Sequence, residues 1–287
     1  LVGSYVANAV GNEIGGTNGP GHLARNVVSG NAGHGISVEV GQTNNRIDGN
    51  YVGLAADGLS AVGNGLHGIL LGATNHLGSP SVGTREGNVI SGNAFDGLFA
   101  FGSQSLIQNN LIGPNAARTG HVPNGRNGIT LSTGSWQVVV GGARDAGGNV
   151  VAGNAGHGIV EEGGQQNTLV GNWIGMGAVS GDNLGPNAGT YGIQVLSGMG
   201  LTLGGEGAAG NVIDAEVGIH LEAMSFSSPG IQGNVIGFHP DTARVSTNLR
   251  IGIEAVGVAA PRIGGTNFAA GNQIGAAREC GIRLAGC

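Results

Sequence analysis

Apolar and polar residues alternate along this chain in runs only two to four residues long, each closed by glycine or asparagine. A period of two over so short a run specifies a strand with one face inward, and no stretch keeps the 3.6-residue period of a helix. Three such runs recur. The first is Asn88-Val89-Ile90-Ser91-Gly92-Asn93, repeated as Asn26-Val27-Val28-Ser29-Gly30-Asn31 and as Asn149-Val150-Val151-Ala152-Gly153-Asn154, with shorter copies at Asn211 and Asn272. The leading asparagines are spaced by 62, 61, 62 and 61 residues. A half-repeat partner, Asn45-Arg46-Ile47-Asp48-Gly49-Asn50, returns around Ile107, Asn167 and Ile231. The second run is Gly-Ile or Gly-Leu, nine times from Gly35-Ile36 to Gly281-Ile282. The third is Ile-Gly-Gly and its variants at Ile14, Val140, Leu203 and Ile263.

Strands this short are not stable alone, so the copies must stack as parallel, in-register ladders. The predicted fold is all-β: one parallel β-helix over residues 1–287, with two coils in each 61–62-residue repeat and about nine coils in all. Whole units are predicted at 26–87, 88–148, 149–210 and 211–271, with partial units at 1–25 and 272–287. At about 4.8 Å per layer the stack is roughly 40–45 Å long. The alternation predicts one buried column at Val28, Ile90, Val151, Ile213 and Ile274, its intervening layers filled by Ile47, Ile107, Leu169 and Ile231. A second column runs from Ile36 and Ile69 to Ile253 and Ile282. Asn31, Asn50, Asn93, Asn110, Asn154, Asn172 and Asn234 are expected to form one ladder of amides at a single bend, interrupted at Ala215-Glu216. Loops leave the stack at 51–64, 113–125, 175–188 and 237–248. No amphipathic helix covers either end, although solenoids normally cap their open layers.

Composition sharpens this picture. Glycine contributes 62 residues without the three-residue period of collagen, the demand of a chain that turns tightly and often. Seventeen carboxylates against eleven arginines, with no lysine, leave a charge of −6 and argue against a nucleic-acid partner. No apolar run approaches the roughly 20 residues of a membrane helix. The chain begins at Leu1 inside repeat sequence, as expected if a leader was removed or never included. Cys280 and Cys287, if paired as a disulfide, imply an oxidising compartment.

These repeats resemble the right-handed parallel β-helix proteins of the pectate-lyase-like superfamily, and more closely the Asn-x-Ile-x-Gly-Asn repeats of bacterial surface and secreted proteins. The resemblance implies right-handed winding. It leaves activity open, because the superfamily spans lyases, hydrolases, epimerases, tailspikes, adhesins and structural modules. Its lyases cluster acidic residues around calcium and use a lysine or arginine base; this chain has no lysine and no aspartate cluster within a strand. Its hydrolases join neighbouring aspartates to Gly-His-Gly and Arg-x-Lys. Gly33-His34-Gly35 and Gly156-His157-Gly158 match only the tripeptide.

No catalytic or metal set is assigned, but several positions are candidates. His34, His67 and Asp96 precede successive Gly-Ile runs at layer spacing and are candidate metal ligands. Gln194, His220, Glu254 and Arg283 fall on one outward column, with Glu162 and Glu222 two residues further along their strands. Carboxylates about two layers apart suit an inverting glycosidase, but charges of opposite sign stacked on an exposed sheet are better read as serving solubility and strand pairing. Trp173 and Gln194 are candidate polysaccharide contacts, and Trp136 shares the choice between sugar platform and loop anchor. The expectation is an extracellular or cell-surface structural or adhesive rod that stacks end to end or continues into a flanking β-helix. No cofactor is expected beyond a structural calcium. The alternative is a carbohydrate-active enzyme or polysaccharide-binding module.

Overall fold

The computed structural model describes residues 10–16, 25–79, 87–144, 146–178, 182, 184–222, 224, 229–242 and 244–287. Among them the chain winds through three parallel sheets of nine strands each, a β-solenoid of about eight turns. Each coil visits the sheets in the same order. The first sheet runs from Glu13–Gly15 to Arg262–Ile263, the second from Val27–Val28 to Gln273–Ile274, and the third from Ile36–Val38 to Cys280–Ala285. The only helical segments among the described residues are two three-residue 3-10 turns, Gly207–Ala209 and Phe268–Ala270.

Two- and three-residue strands hold because the residue that points inward always meets its counterpart in the next coil. In the third sheet the expected column is present in full: Ile36, Ile69, Leu98, Ile129, Ile159, Ile193, Ile219, Ile253 and Ile282 are partners in register. The other expected column divides. Val28, Ile90, Val151, Ile213 and Ile274 belong to the second sheet, where the intervening layers are Val52, Ile112, Ile174 and Ile236. Ile47, Ile107, Leu169 and Ile231 form a separate column in the first sheet, alternating with Leu77, Val140 and Leu203. The reason is that Asn-x-Ile-x-Gly-Asn serves two successive sides of the coil. Asn45 to Asn50 spans a first-sheet strand, and Asn88 to Asn93 spans a second-sheet strand.

The asparagine ladder divides for the same reason. Asn50, Asn110, Asn172 and Asn234 stand at the corner between the first and second sheets. They alternate there with Asn26, Asn88, Asn149, Asn211 and Asn272 in one row that runs the length of the stack. Each Nδ2 donates to the next Oδ1 at 2.9–3.0 Å. Asn31, Asn93 and Asn154 stand instead at the corner between the second and third sheets, alternating with Asn64, Asn124 and Asn187 at 2.8–2.9 Å. A shorter third row joins Asn12, Asn45 and Asn75, then reaches the Ser105 hydroxyl. These amides satisfy buried backbone groups that a tight corner leaves without strand partners.

The second row ends where the repeat departs from pattern. A Cβ added to Gly158 would lie 3.2 Å from Asn187 Nδ2; the same atom on Gly192 meets Ala215 Cβ at 3.4 Å. Ala215 therefore takes the asparagine's place, as the sequence interruption predicts. Loops at 54–61, 114–121 and 238–245 close as antiparallel bridges. With Met176 and Leu184 of the third loop, they cover the outer face of the second sheet and build a smaller apolar cluster over Tyr51, Leu111, Trp173 and Val212. At the far end Ile282 and Leu284 remain 48% and 57% exposed on an edge strand.

Candidate functional site

The outer face of the third sheet carries most of the candidates. Its outward column reads Ser37, Leu70, Phe99, Thr130, Val160, Gln194, His220, Glu254, Arg283, so its ionisable members gather at one end of the stack. The strands lengthen over the same coils, from three residues at Ile159–Glu161 to five at Tyr191–Val195 and six at Val217–Glu222, Ile251–Val256 and Cys280–Ala285. Longer strands in strict register bring the charged side chains together.

His220 is the centre of this group and is buried, as is Glu254 beside it. The imidazole Nδ1 lies 2.8 Å from Glu254 Oε2, and Nε2 lies 3.3 Å from Glu222 Oε2. Arg283 Nη1 donates to the other Glu254 oxygen at 3.3 Å and lies 3.8 Å from Glu279. Arg250 joins Glu216 and Glu279 at 3.1 and 2.7 Å. Tyr191 stacks on His220 with ring centroids 4.4 Å apart and meets His157 at 5.0 Å on a neighbouring coil. Burial, followed by the nearby Glu254 carboxylate, pushes the Tyr191 phenol above its ordinary value.

A buried carboxylate holding one imidazole nitrogen is the arrangement of a general acid–base pair. Here both Glu254 oxygens are already engaged by His220 and Arg283. The imidazole stands between Glu222 and Glu254, where an inverting glycosidase needs room for water and a glycosidic oxygen. The cluster is closed on itself. Glu162 stands apart from it, and Gln194 is the register partner of Val160 and His220.

No family model matches the chain, and no curated protein matches it in sequence.

The other candidates fare differently. Trp173 is 3% exposed beneath the loops, its ring 4.9 Å from His239 and with Arg144 at 5.9 Å, so it is a packing anchor and not a sugar platform. Trp136 is 41% exposed. His34 and His67 lie flat on each other at 5.3 Å and 6°, which points their nitrogens sideways rather than toward a common centre. His67 Nδ1 accepts from the Asp96 backbone N–H, and Asp96 accepts from the Asn127 backbone N–H. Among the described residues no group of three His, Cys, Asp or Glu is placed to hold a metal. Cys280 and Cys287 are both free thiols. The extended strand Cys280–Ala285 lies between them and holds them apart.

One titratable group escaped the sequence reading. Glu161 points into the solenoid, in register between Leu131 and Val195, and is fully buried. Its carboxylate accepts from the backbone N–H groups of Gly163 and Gly164 and from Asn167 Nδ2 at 2.8 Å. Burial outweighs these donors and pushes the group up to about 7. The signal was present: Glu161 occupies the inward position two residues after Ile159, filled in other coils by Val38, Leu71 and Leu221.

Proposed function

We propose that this chain is a structural or adhesive β-solenoid rod of an extracellular or cell-surface protein, one that stacks end to end or runs on into a flanking β-helix. The observation that carries the reading is the continuous in-register apolar interior, flanked by an asparagine row that runs from Asn26 to Asn272. The asparagine rows and the self-paired charges of the third sheet agree with a surface selected for rigidity and solubility. The extracellular assignment, and membership of the pectate-lyase-like superfamily, rest on the resemblance of the repeats.

Electron microscopy of the purified protein tests this. Filaments with an axial repeat of about 45 Å, nine layers of strand spacing, are expected. The competing reading, a carbohydrate-active or polysaccharide-binding face, draws on the meeting of His220, Glu222, Glu254 and Arg283. Monodisperse particles that cleave or retain a polysaccharide, and lose that property in Glu254→Ala, would replace the rod with that reading.

A further inference from the structure

We propose that a groove on the third sheet, bordering the His220 cluster on the side of the preceding coils, binds a short extended peptide. The peptide's terminal carboxylate lies against Arg126 and its amine against Glu162. Arg126, His157, Val160, Glu162, Gln194 and Leu196 line this groove. On the same face Arg250 and Arg283 are each held by two carboxylates. Arg126 pairs with no carboxylate among the described residues and rests only over the Phe95 ring at 5.9 Å. The Glu162 carboxylate and the Gln194 amide likewise have no side-chain hydrogen bond or ion pair among the described residues. Among the described residues the groove thus joins a cation and an anion that lack a charged partner to an amide that lacks a side-chain hydrogen bond.

The placement of these groups sets the ligand's polarity and length. His157 and Glu162 flank the strand Ile159–Glu161, five residues apart, a span of at most roughly 16 Å. Allowing for a contact distance at each end, a zwitterion with charges about 10 Å apart fits, the span of three or four extended residues. His157 strengthens the carboxylate end. Its Nδ1 accepts the Tyr191 backbone N–H at 3.2 Å, so the neutral ring carries its proton on Nε2 as a donor. Burial, then nearby His220, holds that ring below the usual histidine value and keeps it neutral at pH 7. Gln194 offers a donor and an acceptor to a peptide bond, and Val160 and Leu196 give an apolar floor that suits small side chains. An uncharged chain would cover Arg126 and Glu162 without pairing either, which opposes its binding.

The test titrates the full chain with tetra-alanine, N-acetyl-tetra-alanine and tetra-alanine amide, following backbone amide NMR shifts. Tetra-alanine is expected to bind with a dissociation constant of about 1 mM or tighter, shifting the amides around Arg126, His157 and Gln194. Blocking either terminus should weaken binding at least about tenfold, the effect of losing one charge-assisted contact. Arg126→Gln should erase the discrimination against the C-terminal amide, and Glu162→Gln that against the acetylated peptide. Both are surface substitutions, and an unchanged thermal midpoint confirms folding. Absence of binding at about 10 mM, equal binding of all three peptides, or unaltered discrimination in both variants would overturn the proposal. So would a neutral tetrasaccharide that shifts the same amides while tetra-alanine does not.

Discussion

Glu161 shows how a single position in a repeat acquires its own chemistry. A carboxylate has replaced an aliphatic side chain in an inward column, and its donors come from Gly163, Gly164 and Asn167. Its folded value of about 7 lies above the 4.5 of an ordinary glutamate, which the unfolded chain takes. The group therefore contributes stability that is complete below the lower value and is lost as pH rises through the higher one. Between those limits the fold should weaken by about 3 kcal/mol on this account. Urea unfolding at pH 5 and pH 8 of the parent and of Glu161→Gln checks it, because the variant should lack that part of the decline. The difference between proteins is the quantity to use, since partial desolvation pushes His34, His121, His157 and His239 below their ordinary values. They act in the opposite sense at lower pH. At this scale sequence alone is least informative. Gln194, His220, Glu254 and Arg283 could be placed on one outward column because register follows from the Gly-Ile run. Whether Trp173 faced a solvent or a loop could not be read, since loop closure over the second sheet depends on contacts distant in sequence.

The elements of this fold are rows and columns, and each is stabilised by neighbours about one or two repeat halves away. Asn110 is representative. Its Oδ1 accepts from the Asn88 backbone and side chain at 3.2 and 2.9 Å, and its Nδ2 is shared by Leu77 O, Gln108 O and Asn149 Oδ1. Replacing this amide with an apolar side chain leaves buried groups in two adjoining coils without partners. Asn110→Leu should cost about 3 kcal/mol in a urea titration, whereas Asn115→Ala, in an exposed turn, should cost less than about 1 kcal/mol. The third-sheet column was legible residue by residue because its Gly-Ile signature occurs on one side of the coil only. The first- and second-sheet columns were merged, and two asparagine rows with them, because one motif marks both sides. The strands Tyr51–Val52, Leu111–Ile112, Trp173–Ile174 and Val235–Ile236 carried the missing layers. Each follows an asparagine that closes a motif in the sequence and stands at a corner between two strands in the fold.

The whole molecule is simpler than its parts. One interior continues through all layers, flanked by asparagine rows of different lengths: the first spans the whole stack, the second stops at Asn187, and the third reaches Ser105. All-β class, repeat length and coil number were legible because stacking is the one way so many short strands can each bury an apolar side chain. Function was not, since the same interior serves rods, enzymes and binding modules alike. A crystal structure that resolves the corner between the first and second sheets is the most direct check. It should place Asn88 between Asn50 and Asn110, 38 and 22 residues away in sequence, with parallel strands on both sides. Antiparallel neighbours, or Asn88 and Asn93 together in one row, would contradict the stack from which everything else here is derived.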